Sequence, residues 1–240
     1  MSTLLLRLAA PLQSWGSSSR FQRRETNREP TKSGIVGILA AALGRRRNDS
    51  IDDLLDFKFG VRLDQPGKLL RDFHTAHTAD GKHAFTSNRH YLSDAVFLVG
   101  IQADDAELLI YQNALLHPEF PLFLGRRSCP PTPPFVLGIR EGIDLLSALQ
   151  DETWWASGFY QKKLRRQQQV SLEIVIDAAY EEPGAYPQND LPQTFNQTHR
   201  QYSTRSLVSM LDGALVDNPK KISEPTLTEH DAIAALGEVE

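Results

Sequence analysis

The sequence predicts an α+β fold in β-α-β-β-α-β order, with an extended hairpin inserted at its centre and a less regular C-terminal region. Three observations carry that prediction. Apolar runs of strand length alternate with two helix-length segments across residues 3–139. A polar stretch around Asp80-Gly81 has the signal of a hairpin but too little apolar content to bury itself. At 240 residues the chain suffices for one large domain or two small ones with a substantial core.

Residues 3–9, with Leu4, Leu5, Leu6 and Leu8 interrupted only by Arg7, read as a first strand that Pro11 stops. Residues 30–44, Pro-Thr-Lys-Ser-Gly-Ile-Val-Gly-Ile-Leu-Ala-Ala-Ala-Leu-Gly, read as a helix with Thr31 or Ser33 as N-cap and Gly44 as its stop. Its body has no polar stripe and is expected to be buried on most sides. Its exposed start would then gather free N–H groups, the positive dipole end, Lys32 and Ser33 into an anion site. Residues 51–57 suggest a short helix, and residues 57–63 alternate as a half-buried strand does. Gln65-Pro-Gly-Lys68 marks a turn into the polar arm, placed at about residues 66–93. Four of the seven histidines lie in this arm, with Arg71, Lys82 and Arg89. Residues 95–101 read as a fully buried strand, residues 104–116 as a helix capped by Asp104, and residues 134–139 as a fourth strand. That order is the ferredoxin-like pattern also used by RNA-recognition domains.

Residues 1–140 are thus expected to form the ferredoxin-like domain with its inserted thumb, and residues 141–240 a smaller C-terminal region. In the latter, residues 145–149 suggest a short helix, 170–176 a clear strand, 181–193 a loop and 202–210 a last strand. An acidic tail starts near residue 218.

The net charge of −4 conceals an asymmetry. Residues 1–140 hold 18 Lys/Arg against 14 Asp/Glu, whereas residues 141–240 hold 8 against 16. Within residues 1–47, nine basic residues face only Glu25 and Glu29. That excess points to a polyanion, most often nucleic acid; the plain alternative is a solvated basic surface balanced by the acidic half. The single Cys129 excludes an internal disulfide and a multi-cysteine metal site, and suits a reducing cytoplasm. The first apolar run is too short for a signal peptide or membrane span, so a soluble intracellular protein without a membrane partner is expected.

Residues 123–134, Phe-Leu-Gly-Arg-Arg-Ser-Cys-Pro-Pro-Thr-Pro-Pro, set Arg126 and Arg127 between a turn-forming glycine and stiffening prolines. The pair reads as a preorganised anion clamp or as a solvated surface pair. The arm permits base stacking by Phe73 and Phe85, acid–base RNA cleavage using His74, His77, Lys82, His83 or Tyr91, or metal binding, in that order. No third ligand accompanies His74 and His77, so no metal is expected. Lys32-Ser33 precedes Gly34, the wrong order for a phosphate-binding loop, and GxGxxG, GxSxG and HExxH motifs are absent. Trp154 and Trp155 could stack on a base but are more often core anchors. Lys162-Lys-Leu-Arg-Arg166 is a second basic cluster, either a phosphate contact or a solvated face.

Five segments together carry a resemblance: 8–16 (Leu-Ala-Ala-Pro-Leu-Gln-Ser-Trp-Gly), 30–44, 70–75 (Leu-Arg-Asp-Phe-His-Thr), 89–95 (Arg-His-Tyr-Leu-Ser-Asp-Ala) and the Gly-Arg-Arg-Ser-Cys-Pro string. In order across residues 8–138 they resemble the CasD-type subunits of type I-E CRISPR Cascade complexes, with a looser match beyond. The resemblance implies a repeat-associated (RAMP) protein with a ferredoxin-like domain and thumb, serving antiviral defence in a cytoplasmic ribonucleoprotein. It implies CRISPR RNA held by its 5′ handle, a capped filament of Cascade backbone subunits, and contact with the large subunit. The thumb would lie over the RNA, and the target DNA, near the first guide–target pairs. By motif, Gln13, Trp15, Lys32, Ser33, Arg126 and Arg127 would be RNA contacts, and Arg71, His74 and Arg89 would lie at the thumb base or along the RNA. No cofactor, metal or catalytic residue is implied. The alternative is a metal-independent endoribonuclease that processes CRISPR repeat RNA, since relatives in another subtype do so.

Overall fold

The computed structural model describes residues 1–16, 23–196, 198 and 200–222. Arg20 and most of the acidic tail lie outside the described residues. The N-terminal half holds strands β1 (Ser2–Ala9), β2 (Leu12–Gln13) and β3 (Arg23–Arg24), helix α1 (Lys32–Ala42), strands β4 (Lys58–Gln65), β5 (Lys68–His77), β6 (Ala84–Ser93) and β7 (Val96–Ala103), helix α2 (Asp105–Leu116) and strand β8 (Val136–Arg140). Helices α3 (Leu145–Asp151) and α4 (Gly158–Lys163) follow, then strands β9 (Gln169–Asp177), β10 (Tyr186–Thr194) and β11 (Gln201–Asp217).

Strands β4, β7, β1 and β8 are neighbours in that order, all antiparallel, which is the interleaving that the β-α-β-β-α-β order predicts. Among the described residues, those beyond 141 do not build a sheet of their own. Strand β9 pairs with β4 over Gly60–Arg62 and Ile174–Ile176, extending the sheet to seven strands in the order β10-β11-β9-β4-β7-β1-β8.

Strand β1 is buried on both faces, which is why its leucines run almost unbroken. Leu4, Leu6 and Leu8 face Ile35, Val36 and Leu39 of α1 and Leu108, Tyr111 and Leu115 of α2. Leu5 faces the other way, toward Leu145 and Leu149 of α3 and Leu172 and Ile174 of β9. Helix α3 comes this close because Gly60 and Gly100 lie opposite each other in β4 and β7. A Cβ at Gly100 would stand 2.5 Å from a methyl of Leu145, and one at Gly60 2.8 Å from a methyl of Leu149. The sheet face that RNA-recognition domains leave open for bases is therefore filled here.

A buried ion pair fastens this second layer. Arg62 and Asp64 are both fully buried, and Arg62 spends all five donors. It donates to both Asp64 oxygens (2.7 and 3.0 Å) and to the carbonyls of Leu149, Glu152 and Thr153 (2.6–2.7 Å). Asp64 also accepts from the Trp155 N–H at 2.6 Å, and its carbonyl from the Trp154 indole at 2.9 Å. The tryptophan pair is thereby a core anchor.

The arm is a β5–β6 hairpin in register from Lys68↔Ser93 to His77↔Ala84, turning through Gly81 at φ 69°. Its root is bound to the N-terminal segment, since β6 pairs with β2 and β3. Three expectations are corrected. The short helix at 51–57 is one 3₁₀ turn over Asp52–Leu54. Asp104 sits at the N-cap of α2 without a side-chain capping hydrogen bond. The loop at 181–193 contains β10, whose Pro187 and Pro192 disguise it; prolines are tolerated there because β10 is an edge strand. The last strand is also longer than expected, running to Asp217. No helix among the described residues is long and apolar enough to cross a membrane.

Asp64→Ala is expected to lower the unfolding free energy in urea by about 3–5 kcal/mol, because it strands the buried Arg62. Arg62→Met with Asp64→Leu is expected to lose clearly less.

Candidate nucleic-acid interface

Thr31 caps α1, its hydroxyl accepting from the Gly34 N–H at 3.2 Å. The anion favoured by the helix dipole comes from the chain itself. Asp190 of β10, fully buried, accepts from the Lys32 N–H at 2.9 Å and from Arg205 of β11 at 2.6 and 2.8 Å. Arg205 also donates to Asp177. The Lys32 ammonium, 6% exposed as a residue, donates to the Phe57 carbonyl at 2.7 Å and pairs with Asp177 at 3.3 Å. The expectation that Lys32 offers a free cation at an open helix start is therefore corrected: its charge is buried and neutralised. Ser33, also buried, donates to Thr31 Oγ1 at 3.2 Å.

Gln13 and Trp15 are likewise interior. The Gln13 amide donates to the carbonyls of Leu8 (3.1 Å) and Ala95 (2.8 Å), and its oxygen accepts from the Trp15 indole at 3.1 Å. Their local role is to hold segment 12–16 against β6 and α1.

That segment receives the arginine turn. Gly125 has φ 82°, and a Cβ there would stand 1.6 Å from the Ser14 carbonyl oxygen. The Ser14 N–H donates to the Leu124 carbonyl at 3.2 Å, and the turn closes with Leu124 N–H to Cys129 (2.7 Å) and Cys129 N–H to Arg126 (2.8 Å). Leu124 and Cys129 are buried, and burial pushes the Cys129 thiol up against the opposing pull of Ser128 and Arg126. Arg126 is half-buried: it lies 4.4 Å over the Tyr91 ring and donates to the Arg24 carbonyl at 2.9 Å. Arg127 is exposed.

Tyr91 makes this junction the root of the thumb. Burial alone would raise its phenol, but hydrogen bonds from Arg126, Ser128 and Arg89, with the Arg126 charge, outweigh that and hold it below its ordinary value. Arg89 Nε and Arg126 Nη1 are buried donors without an acceptor among the described residues.

Beside the turn runs a groove of about 320 Å³. Ser33, Gly34, Gly37, Ala40 and Ala41 of α1 form its small-residue floor, which Trp15 borders. Phe123, Phe195 and Tyr202 supply aromatic walls, and Arg45, Arg46, Arg47 and Arg200 a cationic rim. Arg45 is tied to Asp53, while Arg46 and Arg47 are exposed. The groove suits a phosphate chain with bases laid on small and aromatic surfaces.

The structure thus brings Trp15, Ser33 and the Arg126 turn to one side of α1, and joins Arg89 to Arg126 through Tyr91. Lys32 faces the Asp177 cluster instead. Arg71 and His74 stand out on the hairpin, His74 4.0 Å from Asp72. Phe195, Arg200 and Tyr202 were missed, and Tyr91 was offered only as a cleavage residue, not as the junction of the thumb with the arginine turn. Arg45–Arg47 were visible as charge directly after Gly44, but Phe195, Arg200 and Tyr202 join the site only through the pairing of β10 with β11.

Residues 3–208 match the family described as CRISPR-associated protein (Cas_Cas5). The chain belongs to this Cas5 family. The CRISPR system Cascade subunit CasD of Escherichia coli (strain K12) is 36% identical over 169 residues, 62% of this chain and 75% of that protein. A chain of a solved CRISPR RNA-guided surveillance complex superposes with a TM-score of 0.72 at 33% identity, covering 93% of this chain and 95% of that one. A crystal structure of a Cas protein gives 0.68 at 35%, covering 93% and 99%. The Cas5 match takes in the groove, the arginine turn and the thumb, and ends within β11.

Gly125→Ala is expected to lift the turn off Ser14, costing about 1–3 kcal/mol and speeding tryptic cleavage after Arg126 and Arg127. Burial holds the Glu29 carboxyl above its ordinary value, with Glu173 and Asp190 adding to the shift and Arg28 and Arg205 opposing it. A raised acid contributes stability that is full below its ordinary value and lost as pH rises through the folded value. Glu29→Gln is therefore expected to stabilise the protein at pH 7 by about 1 kcal/mol or less, a gain that vanishes in urea titrations as acid protonates Glu29.

Proposed function

We propose that this chain is a non-catalytic, RNA-binding subunit of a Cascade-type CRISPR ribonucleoprotein in the bacterial cytoplasm. On this reading it holds the 5′ handle of the CRISPR RNA along the α1 groove, caps the filament of backbone subunits and meets the large subunit at that end. The thumb, with Arg71, His74, Phe73 and Phe85 projecting, reaches over the RNA toward the first guide–target pairs and the target DNA. The observation that carries the reading is the groove itself. A small-residue floor, aromatic walls and an arginine rim meet the Arg126 turn and two buried guanidinium donors that want an oxygen acceptor.

The dispersal of the thumb's histidines supports a binding role over cleavage. General acid–base catalysis needs two groups converging on one proton path. His74 and His77, three residues apart on β5, point to opposite faces of the hairpin. Tyr91 sits at the root, half-wrapped by arginines, four residues along β6 from Ser87, the partner of His74. Among the described residues no three His, Cys, Asp or Glu side chains converge as a metal site would require.

Combining Arg46→Ala, Arg47→Ala and Arg127→Ala is expected to leave the melting temperature unchanged, since all three are exposed. Binding of handle-containing RNA should weaken about 10- to 100-fold, and its dependence on log salt should flatten by about 2. Unchanged protection of the handle in nuclease footprints of the assembled complex would sink the proposal. Incubation with repeat RNA in EDTA is expected to leave the RNA intact; a discrete product ending in a 2′,3′-cyclic phosphate would restore the endoribonuclease reading.

A further inference from the structure

The basic run at the end of α4 is not used by this reading, and the fold enlarges it. The turn at residues 218–222 folds back onto it through Asn218, a polar side chain that is fully buried. The Asn218 amide donates to the carbonyls of Gln161 (3.1 Å) and Leu164 (2.9 Å), and its oxygen accepts from the Lys220 N–H at 2.9 Å. Its own N–H donates to Gln168 at 2.9 Å, and the Ile222 N–H to Arg165 at 2.9 Å. These bonds set Lys220 and Lys221 beside Lys162, Lys163, Arg165 and Arg166.

All six side chains are exposed, and residues 158–168 and 218–222 contain no carboxylate. Among the described residues none of the six forms an ion pair. Asp217, the acid that precedes the turn, accepts from the Gln169 side chain at 3.3 Å. Lys162 and Lys163 occupy the last turn of α4, where the helix dipole favours cations. The other four lie beyond that helix, so the dipole does not account for them. Crowding like charges opposes folding, and here a buried asparagine is committed to doing it.

The patch is remote from the groove. Helix α4 packs with the α3 layer through Tyr160 and Leu164, across the sheet from α1. Arg200 and Tyr202 of the groove stand at the start of β11 and the lysine turn at its end, up to about 50 Å apart along 17 residues. Single-stranded sites combine cations with several stacking aromatics, as the groove does. The patch presents one exposed aromatic, Phe159 at 82%, amid spread charge, which fits the evenly spaced phosphates of a duplex instead.

We propose that Lys162, Lys163, Arg165, Arg166, Lys220 and Lys221 form a second nucleic-acid site that grips the phosphate backbone of a double helix without reading its sequence. The test uses the full chain, two unrelated DNA duplexes of about 20–30 bp, an RNA duplex of that length and single-stranded handle RNA, titrated from about 50 to 200 mM KCl. Changing Lys162, Lys163, Arg165 and Arg166 together to Gln should weaken both DNA duplexes equally, by about 10- to 100-fold, and flatten the salt dependence by about 3–4. Handle RNA should bind as before, which separates this site from the groove. Lys162→Arg with Lys163→Arg should bind duplex normally, and Asn218→Ala, by freeing the lysine turn, should give an intermediate loss. Comparing DNA with RNA duplex then identifies which double helix the patch prefers. An unchanged salt slope in the fourfold variant, an equal loss of handle RNA, or tighter binding of poly-L-glutamate than of either duplex would overturn the proposal.

Discussion

The buried carboxylate of Asp190, bonded to the first N–H of α1 and to Arg205, is the constraint on which the surface geometry depends. A helix start with unpaired N–H groups attracts an anion, and here a residue 158 positions away supplies it. Removing such a charge from water is costly unless it is fully bonded, and Asp190 is: the Lys32 N–H and two nitrogens of the Arg205 guanidinium, Nε and Nη2, satisfy it. Because Asp190 belongs to β10 and Arg205 to β11, the same bonds pull that hairpin against α1. Phe195, Arg200 and Tyr202 thereby become the far wall of the groove.

Closing one anion site thus creates another. The start of α1 is consumed inside the protein, while its small-residue flank at Gly34, Gly37, Ala40 and Ala41 stays open under a rim of arginines. The second layer has a parallel logic. Gly60 and Gly100 admit α3 onto the sheet, and the Arg62–Asp64 pair locks it there. With that face filled, exposed charge gathers on the α1 flank, the thumb and the end of α4. Function in this fold is proposed at edges and junctions, not on the open sheet that a ferredoxin-like order first suggests.

Much of this was legible in the residues. Strands β1, β4, β7, β8 and β9 announce themselves by apolar runs or alternation, and the helix at α1 by its caps. The Asp80-Gly81 signal places the hairpin turn correctly, with Gly81 at φ 69°. Gly125 reads as a necessary turn glycine, and the Ser14 carbonyl beneath it shows why no other residue fits. Strand β10 was illegible because Pro187 and Pro192 mimic a loop, and an edge strand needs only half of its backbone hydrogen bonds. The site was misread at Lys32 for a related reason. A lysine at a helix start looks the same in sequence whether water or Asp177 lies beyond it.

By itself, then, the sequence determined the β-α-β-β-α-β order, the projecting hairpin, the rigid arginine turn and the concentration of positive charge near the N-terminus. Each depends on periodicity, turn chemistry or local composition, which act over a few residues. Only the tertiary structure decided which cations remain available. It buried Lys32 against Asp177, stacked Arg126 on Tyr91, left Arg46, Arg47 and Arg127 exposed, and gathered Lys220 and Lys221 beside Arg165. Whether a charge is free or neutralised depends on partners brought together from distant parts of the chain, and no local pattern encodes that distance.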